Sequence, residues 1–253
     1  LTGCANTFDD ITRRDHDFGR LFTTPDPLVV LKDSSDGSDR ARALASLQEP
    51  KENGGTAADQ DKMLEILRIS ALQDDQALCR MSAIRSLGRF KDPRAAEILD
   101  QVYVQDLRFE PELISLIHEE CLKSLAETGG PVALHRLVLV AKEPPAAGAA
   151  RLKQEALGRR LTAVRGLGKF KDPEAVATLA YVLKTDKDIA IKDRAHEALE
   201  AATGKHAPPD SPVWAAYAPA APATPVAQPT VQPAGGPAAS NGVNARVGWS
   251  GAP

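Results

Sequence analysis

The chain has 253 residues and a formal net charge of −3, with 26% charged and only 4% aromatic residues. That balance gives no electrostatic footprint for nucleic acid, and no run of about 18 apolar residues is present to cross a membrane as a helix. Few aromatic rings beside abundant Ala and Leu suit stacked helices better than a β-sandwich.

The chain opens Leu1-Thr2-Gly3-Cys4, and its two methionines are Met63 and Met81. Leu, a small polar residue, a small residue and then Cys resembles the lipobox that ends a bacterial lipoprotein signal peptide. The resemblance implies that residues 1–4 hold the remnant of a removed signal and that Cys4 is a lipidated N-terminus. Ala5, rather than Asp, follows the Cys; in a diderm bacterium this implies the periplasmic face of the outer membrane. Each buried CH₂ of an acyl chain contributes ~0.8 kcal/mol, so several chains anchor stably.

Residues 5–37 read as an N-terminal cap and linker. Phe8, Ile11, Phe18, Leu21 and Phe22 supply an apolar-faced segment. Pro25 and Pro27 are expected to break any helix. Leu28 to Leu31 are expected to pack on the first repeat, since an end repeat has no neighbour to cover it. Asp33, Asp36 and Asp39 have the spacing of an acidic calcium loop, but its twelfth position, where a glutamate is needed, is Leu44. The stretch is therefore read as a turn into a helix capped at Ser38 or Asp39.

From residue 38 to residue 217 the chain repeats itself. Residues 83–93 read Ala-Ile-Arg-Ser-Leu-Gly-Arg-Phe-Lys-Asp-Pro, and residues 163–173 read Ala-Val-Arg-Gly-Leu-Gly-Lys-Phe-Lys-Asp-Pro. Ala83, Ile84, Leu87 and Phe90, like Ala163, Val164, Leu167 and Phe170, fall at helical spacing. Small residues at 83, 88, 163 and 168 allow a second helix to come close. Asp92-Pro93 and Asp172-Pro173 predict the start of the next helix, with Asp as cap and Pro at the first helical position. The offset of 80 residues predicts two units of ~40 with a diverged copy between them. That copy is Cys121 to Ala126, ending at Gly129-Gly130-Pro131. Further matches are Arg194 to Leu199 and, more weakly, Arg42 to Leu47, followed by a helix through Met63, Leu64, Ile66, Leu67 and Ile69. Residues 48–58, 104–111 and 142–150 read as loops.

Five helix pairs at this spacing predict an all-α fold, an α-solenoid. The unit x-Arg-x-x-Ala-x-x-x-Leu-Gly-x-Phe-x-Asp-Pro resembles a HEAT repeat in its bacterial, HEAT-like form. The resemblance covers about residues 38–204 and implies a curved stack, with first helices outside and second helices inside. Leu-Thr-Gly-Cys, Pro-Asp-Pro-Leu-Val-Val-Leu-Lys-Asp-Ser-Ser-Asp-Gly at 25–37 and Ala-Thr-Gly-Lys-His-Ala-Pro-Pro-Asp at 202–210 are together similar to bacterial HEAT-repeat lipoproteins, a group that implies no known reaction. After Gly204, a helix stop, Val213, Trp214 and Tyr217 are expected to seal the last repeat. Residues 218–253 are rich in Pro and Ala, with Arg246 as the only charged side chain. They cannot bury enough apolar surface to offset ordering and read as a disordered tail, with Trp249 as one sticky point.

The chemistry is sparse. His16, His118, His135, His196 and His206 form no metal-binding motif, and His118 beside Glu119-Glu120 reads as charged helix surface. Cys79 and Cys121 fall on neighbouring first helices and read as packing residues; stacked helices ~8–10 Å apart exceed comfortable disulfide reach. Gly158-Arg159-Arg160-Leu161 with Arg165, Lys169 and Lys171 reads as a solvated helix face, and Arg85 and Arg165 are expected to pair with acids of an adjacent unit. No catalytic, cofactor or metal residue is assigned.

These features predict a non-catalytic, membrane-tethered scaffold that binds a protein partner. Two alternatives stand beside it: a bilin lyase-type enzyme subunit, implied by other HEAT-like proteins and requiring a cytosolic site, and a structural envelope protein whose tail touches the cell wall.

Overall fold

The computed structural model describes residues 26–218. They fold into eleven α-helices and one 3₁₀ turn at Lys51–Asn53, with no strand among the described residues. The helices are α1 Pro27–Asp33, α2 Gly37–Ser46, α3 Ala57–Gln73, α4 Ala77–Gly88, α5 Pro93–Val104 and α6 Pro111–Thr128. They continue as α7 Gly130–Ala141, α8 Ala150–Leu167, α9 Pro173–Thr185, α10 Ile189–Thr203 and α11 Pro212–Ala215.

Two layers result. Helices α2, α4, α6, α8 and α10 lie side by side in one, each packed on the next, and α3, α5, α7 and α9 form the other. This is an α-solenoid. Helices α4 and α8, which carry the two copies of the repeated stretch, sit on either side of α6 in the same layer. The fifth pair is abbreviated: the second helix after α10 is the single turn α11, which packs on α9.

The repeat sequence builds this directly. Ala83, Ile84 and Leu87, with Ala163, Val164 and Leu167, are fully buried, as is Phe90, whereas Phe170 is only partly buried. The core runs along the whole row, and Tyr103 and Phe170 touch both of its halves. Asp92 accepts the Arg94 N–H at 3.1 Å and Asp172 the Glu174 N–H at 2.8 Å, with Pro93 and Pro173 opening α5 and α9. The diverged copy turns instead at Gly129 and Gly130, whose φ values of 71° and 82° an L side chain rarely adopts.

Two local expectations are corrected, and one loop is tied to the core. Pro27 does not break a helix; it opens α1, capped by Asp26, which accepts the Leu28 N–H at 2.9 Å. Proline costs nothing there because the first N–H of a helix has no partner. The cap of α2 is Asp36, not Ser38 or Asp39: one carboxylate oxygen accepts both of their N–H groups, at 2.8 and 3.0 Å. Those bonds, that of Asp39 foremost, hold the Asp36 carboxyl below its usual range. The loop at 48–58 is not all solvent-facing: Glu49 is buried and accepts from Gln60 at 2.8 Å and from the Asp92 amide at 3.1 Å.

Candidate interaction surface

One position of the repeat carries a basic residue in every unit. It lies three residues before the small residue that packs in the core: Arg40 before Ala43, Arg80 before Ala83, His118 before Cys121, Arg160 before Ala163 and Lys192 before Ala195. On a helix this spacing stacks both residues on one face, so the basic group also turns inward. Arg160 bonds Asp186, the residue that closes α9, and Arg40 bonds Asp74, the residue that closes α3. Arg80 donates to the Asp74 carbonyl at 2.6 Å and lies 4.9 Å from the centre of the Phe109 ring. Burial depresses the pKa of Arg80. A cation at a helix C-terminus also meets the negative end of the helix dipole. The expected solvated basic face at 158–161 is thus wrong for Arg160: the repeat period places it inside, against an acid.

This position marks one edge of the stack. Consecutive helices run antiparallel, so every second-layer helix ends, and every following first-layer helix begins, at the same edge. The connections there are 74–76, 105–110, 142–149 and 186–188. The opposite edge carries the 47–56 connection and the tight turns at Asp92-Pro93, Gly129-Gly130 and Asp172-Pro173.

Exposed large apolar residues collect at the long-loop edge. Ile69, Val104, Leu139 and Tyr181 lie in the last turns of α3, α5, α7 and α9. Leu78, Leu152 and Ile189 lie in the first turns of α4, α8 and α10, and Leu116 sits in the second turn of α6. Single exposed apolar side chains are ordinary; one or two in every repeat, on the same edge, form a row.

A cleft of about 260 Å³ opens on this edge between α5, α6, α8 and the 142–149 loop, lined by Tyr103, Ile114, His118, Glu143, Glu155 and Arg159. The rings of Tyr103 and His118 are 4.9 Å apart. Among the described residues, His118 Nε2 is buried without a hydrogen-bond partner. Burial, helped by Arg159, lowers the His118 pKa, so its ring is neutral at neutral pH. Burial and then Glu143 push the Tyr103 phenol up to about 12. The sequence placed His118 on a charged surface; its place in the column Arg40, Arg80, His118, Arg160 is the signal that would have turned it inward.

The other singled-out residues are dispersed. His135 is exposed on α7, His196 Nε2 is 2.6 Å from the Ala207 carbonyl, and His206 faces Glu200 at 3.3 Å. Cys79 and Cys121 are buried free thiols. Arg85 bonds Glu120 on the neighbouring α6 at 2.8 Å as expected, whereas Arg165 is exposed and makes no ion pair among the described residues; Lys169 instead bonds Glu127 of α6. No group of three or more His, Cys, Asp or Glu among the described residues is arranged to hold a metal ion. No described helix is long and apolar enough to cross a membrane. Cys4, His16, Trp249 and the expected tail lie outside the described residues.

The family model of the PBS lyase HEAT-like repeat matches residues 80–104 and 160–184. These are HEAT-like repeats. Each match opens on one of the buried arginines, Arg80 or Arg160, and closes in the second helix of that pair. The matched stretch therefore includes the inward cation, while the helix-closing residues it bonds, Asp74 for Arg80 and Asp186 for Arg160, lie just outside it. No curated protein matches the chain.

Proposed function

We propose that the protein is a non-catalytic interaction scaffold, tethered to a membrane by lipid on Cys4, that holds a protein partner along its long-loop edge. The observation that carries this reading is the recurrence of Ile69, Val104, Leu139 and Tyr181, one exposed apolar residue at the end of each second-layer helix. Exposed apolar side chains recurring in this way suit a protein interface. The Leu-Thr-Gly-Cys opening supports the tether and, with it, a location in the cell envelope.

Two experiments test the two halves separately. Cys4→Ala moves the protein from the membrane to the soluble fraction; unchanged fractionation removes the tether. Capture from detergent-treated membranes recovers the partner with the wild-type chain and loses it with Leu139→Ser/Tyr181→Ser. Equal recovery, with an unchanged helical spectrum, takes the partner off this edge.

A second reading, a bilin lyase-type subunit, is favoured by the description of the matched repeat. The Tyr103–His118 cleft is its natural site. It requires a tetrapyrrole absorbance change on mixing with bilin, abolished by His118→Ala; no change discards it.

A further inference from the structure

The two ends of the stack are finished differently. At the C-terminal end, α11 lays Trp214 into the core, 3% exposed, and its indole N–H donates to the Pro208 carbonyl at 2.9 Å. At the N-terminal end, α1 buries none of its seven residues, and Leu28 and Val29 remain 44% and 52% exposed. Between α1 and α2 runs a groove of about 510 Å³, lined by Pro27, Val30, Ser34, Asp39, Arg42 and Ala43. Asp39 and Arg42, one turn apart on α2, bond each other along its rim. That pairing neutralises the rim, so the groove selects for apolar surface rather than for charge. Among the described residues, nothing supplies this end repeat with the cover that solenoids need.

We propose that residues 8–22 of this chain are that cover, laying Phe18, Leu21 and Phe22 into the groove between α1 and α2. Three of the chain's six phenylalanines, Phe8, Phe18 and Phe22, fall in this short stretch, with Ile11 and Leu21 beside them. Phenylalanine buries a large area per residue, and the five steps of chain from Phe22 to Pro27 reach roughly 17 Å when extended, at ~3.3–3.6 Å per residue. The segment is joined to the groove, so docking is intramolecular, with an effective concentration on the order of millimolar. A second copy lacks that advantage. A lipid surface is disfavoured because α1 and its cap carry only Lys32 against Asp26 and Asp33, the reverse of a basic membrane-binding face. Where Cys4 carries lipid, as proposed above, docking leaves Ala5, Asn6 and Thr7 as the leash and holds the α1 end at the bilayer. The docking itself does not depend on the lipid.

The test is amide hydrogen exchange on the full-length Cys4→Ala chain, so that lipid plays no part. Phe18→Ser/Phe22→Ser raises the exchange of α1 and α2 amides about tenfold or more, while α6 and α8 keep their protection, since local opening is independent of the global core. Val30→Lys, which blocks the groove from the other side, produces the same local loss. Unchanged α1 exchange in both variants overturns the proposal. So does wild-type protection of α1 that grows with protein concentration, the sign of a second copy, or that appears only with phosphatidylglycerol vesicles, the sign of a lipid surface.

Discussion

The guanidinium of Arg160 meets the carboxylate of Asp186 inside the stack, and both side chains are almost wholly buried, at 6% and 7% exposed. Arg160 stands on the first helix of its pair and Asp186 closes the second, so the bond fastens one layer to the other. Removing either partner strands a charge where water cannot reach it. Arg160→Ala or Asp186→Ala therefore costs about 3–5 kcal/mol, read as a fall in the urea midpoint at constant slope. Arg160→Met/Asp186→Leu loses less than either single change, because no charge is left and the unpartnered Arg160 Nε goes with it. Additive losses in the double variant would show that the two groups act independently.

The same pair sets a pH dependence. Burial alone would raise the Asp186 carboxyl, but the Asp188 amide, Arg160 and the Lys187 amide outweigh it and hold the pKa below its usual value. A depressed carboxyl stabilises the fold above its unfolded pKa, and that contribution is lost as pH falls through the folded value. Asp92 follows the same sign. Arg94 foremost, helped by its own amide and by Gln60, brings the Asp92 carboxyl to about 2. Its contribution is complete above about pH 4 and fades toward pH 2. Asp92→Asn keeps an acceptor for the Arg94 amide and removes the charge. Stability titrated from pH 5 to pH 2 therefore falls less steeply in Asp92→Asn than in the wild type; parallel curves would assign the acid response elsewhere. Arg94 is about half exposed, so water screens part of the effect.

The fold was legible because the repeat is periodic and its turns have plain chemistry: Asp-Pro starts a helix wherever it stands, and Leu87 and Leu167 can only face inward. Less legible was what the repeat does where one residue changes. Ser86 and Gly166 occupy the same position and look interchangeable in size. Ser86 donates its hydroxyl to the Leu44 carbonyl at 2.6 Å, whereas Gly166 lets Ala126 and Leu137 close in on its backbone. Tertiary neighbours, absent from any local window, decide between those uses. The inward turn of Arg160 was hidden for the same reason, since its partner lies 26 residues away. The apolar row on the long-loop edge was invisible in sequence because Ile69 and Tyr181 sit among core residues of the same type, and only exposure separates them.

Close approach of α4 and α6 predicts a steric limit at Gly88. A Cβ there would lie 2.9 Å from the Ser124 Cβ and 3.0 Å from its Cα, and backbone cannot rotate away. Gly88→Ala gains at most about 1 kcal/mol of helix propensity, less at the last residue of a helix. Overpacking of this kind costs about 1–3 kcal/mol, so the net sign is a loss. Gly88→Val costs more. The thermal midpoint should be highest in the wild type, lower in Gly88→Ala and lowest in Gly88→Val; an unchanged midpoint for Gly88→Ala would mean that α4 and α6 separate freely.

The buried thiols give a probe of the same interface. Burial raises the Cys121 pKa, with Glu120 and Asp100 adding to it, and burial followed by Asp74 raises that of Cys79. The thiolate is the nucleophile, so a raised pKa and a closed interior both suppress alkylation. At about pH 8 neither residue should label in the native protein, and both should label in concentrated urea. Cys79 lies where α4 meets the start of α2, with its Sγ 3.4 Å from the Gly37 carbonyl. Cys121 lies in α6, in the middle of the row. Opening from the N-terminal end therefore releases Cys79 first as denaturant rises. Simultaneous labelling at every concentration would instead show that the row opens as one cooperative unit, with no weaker end.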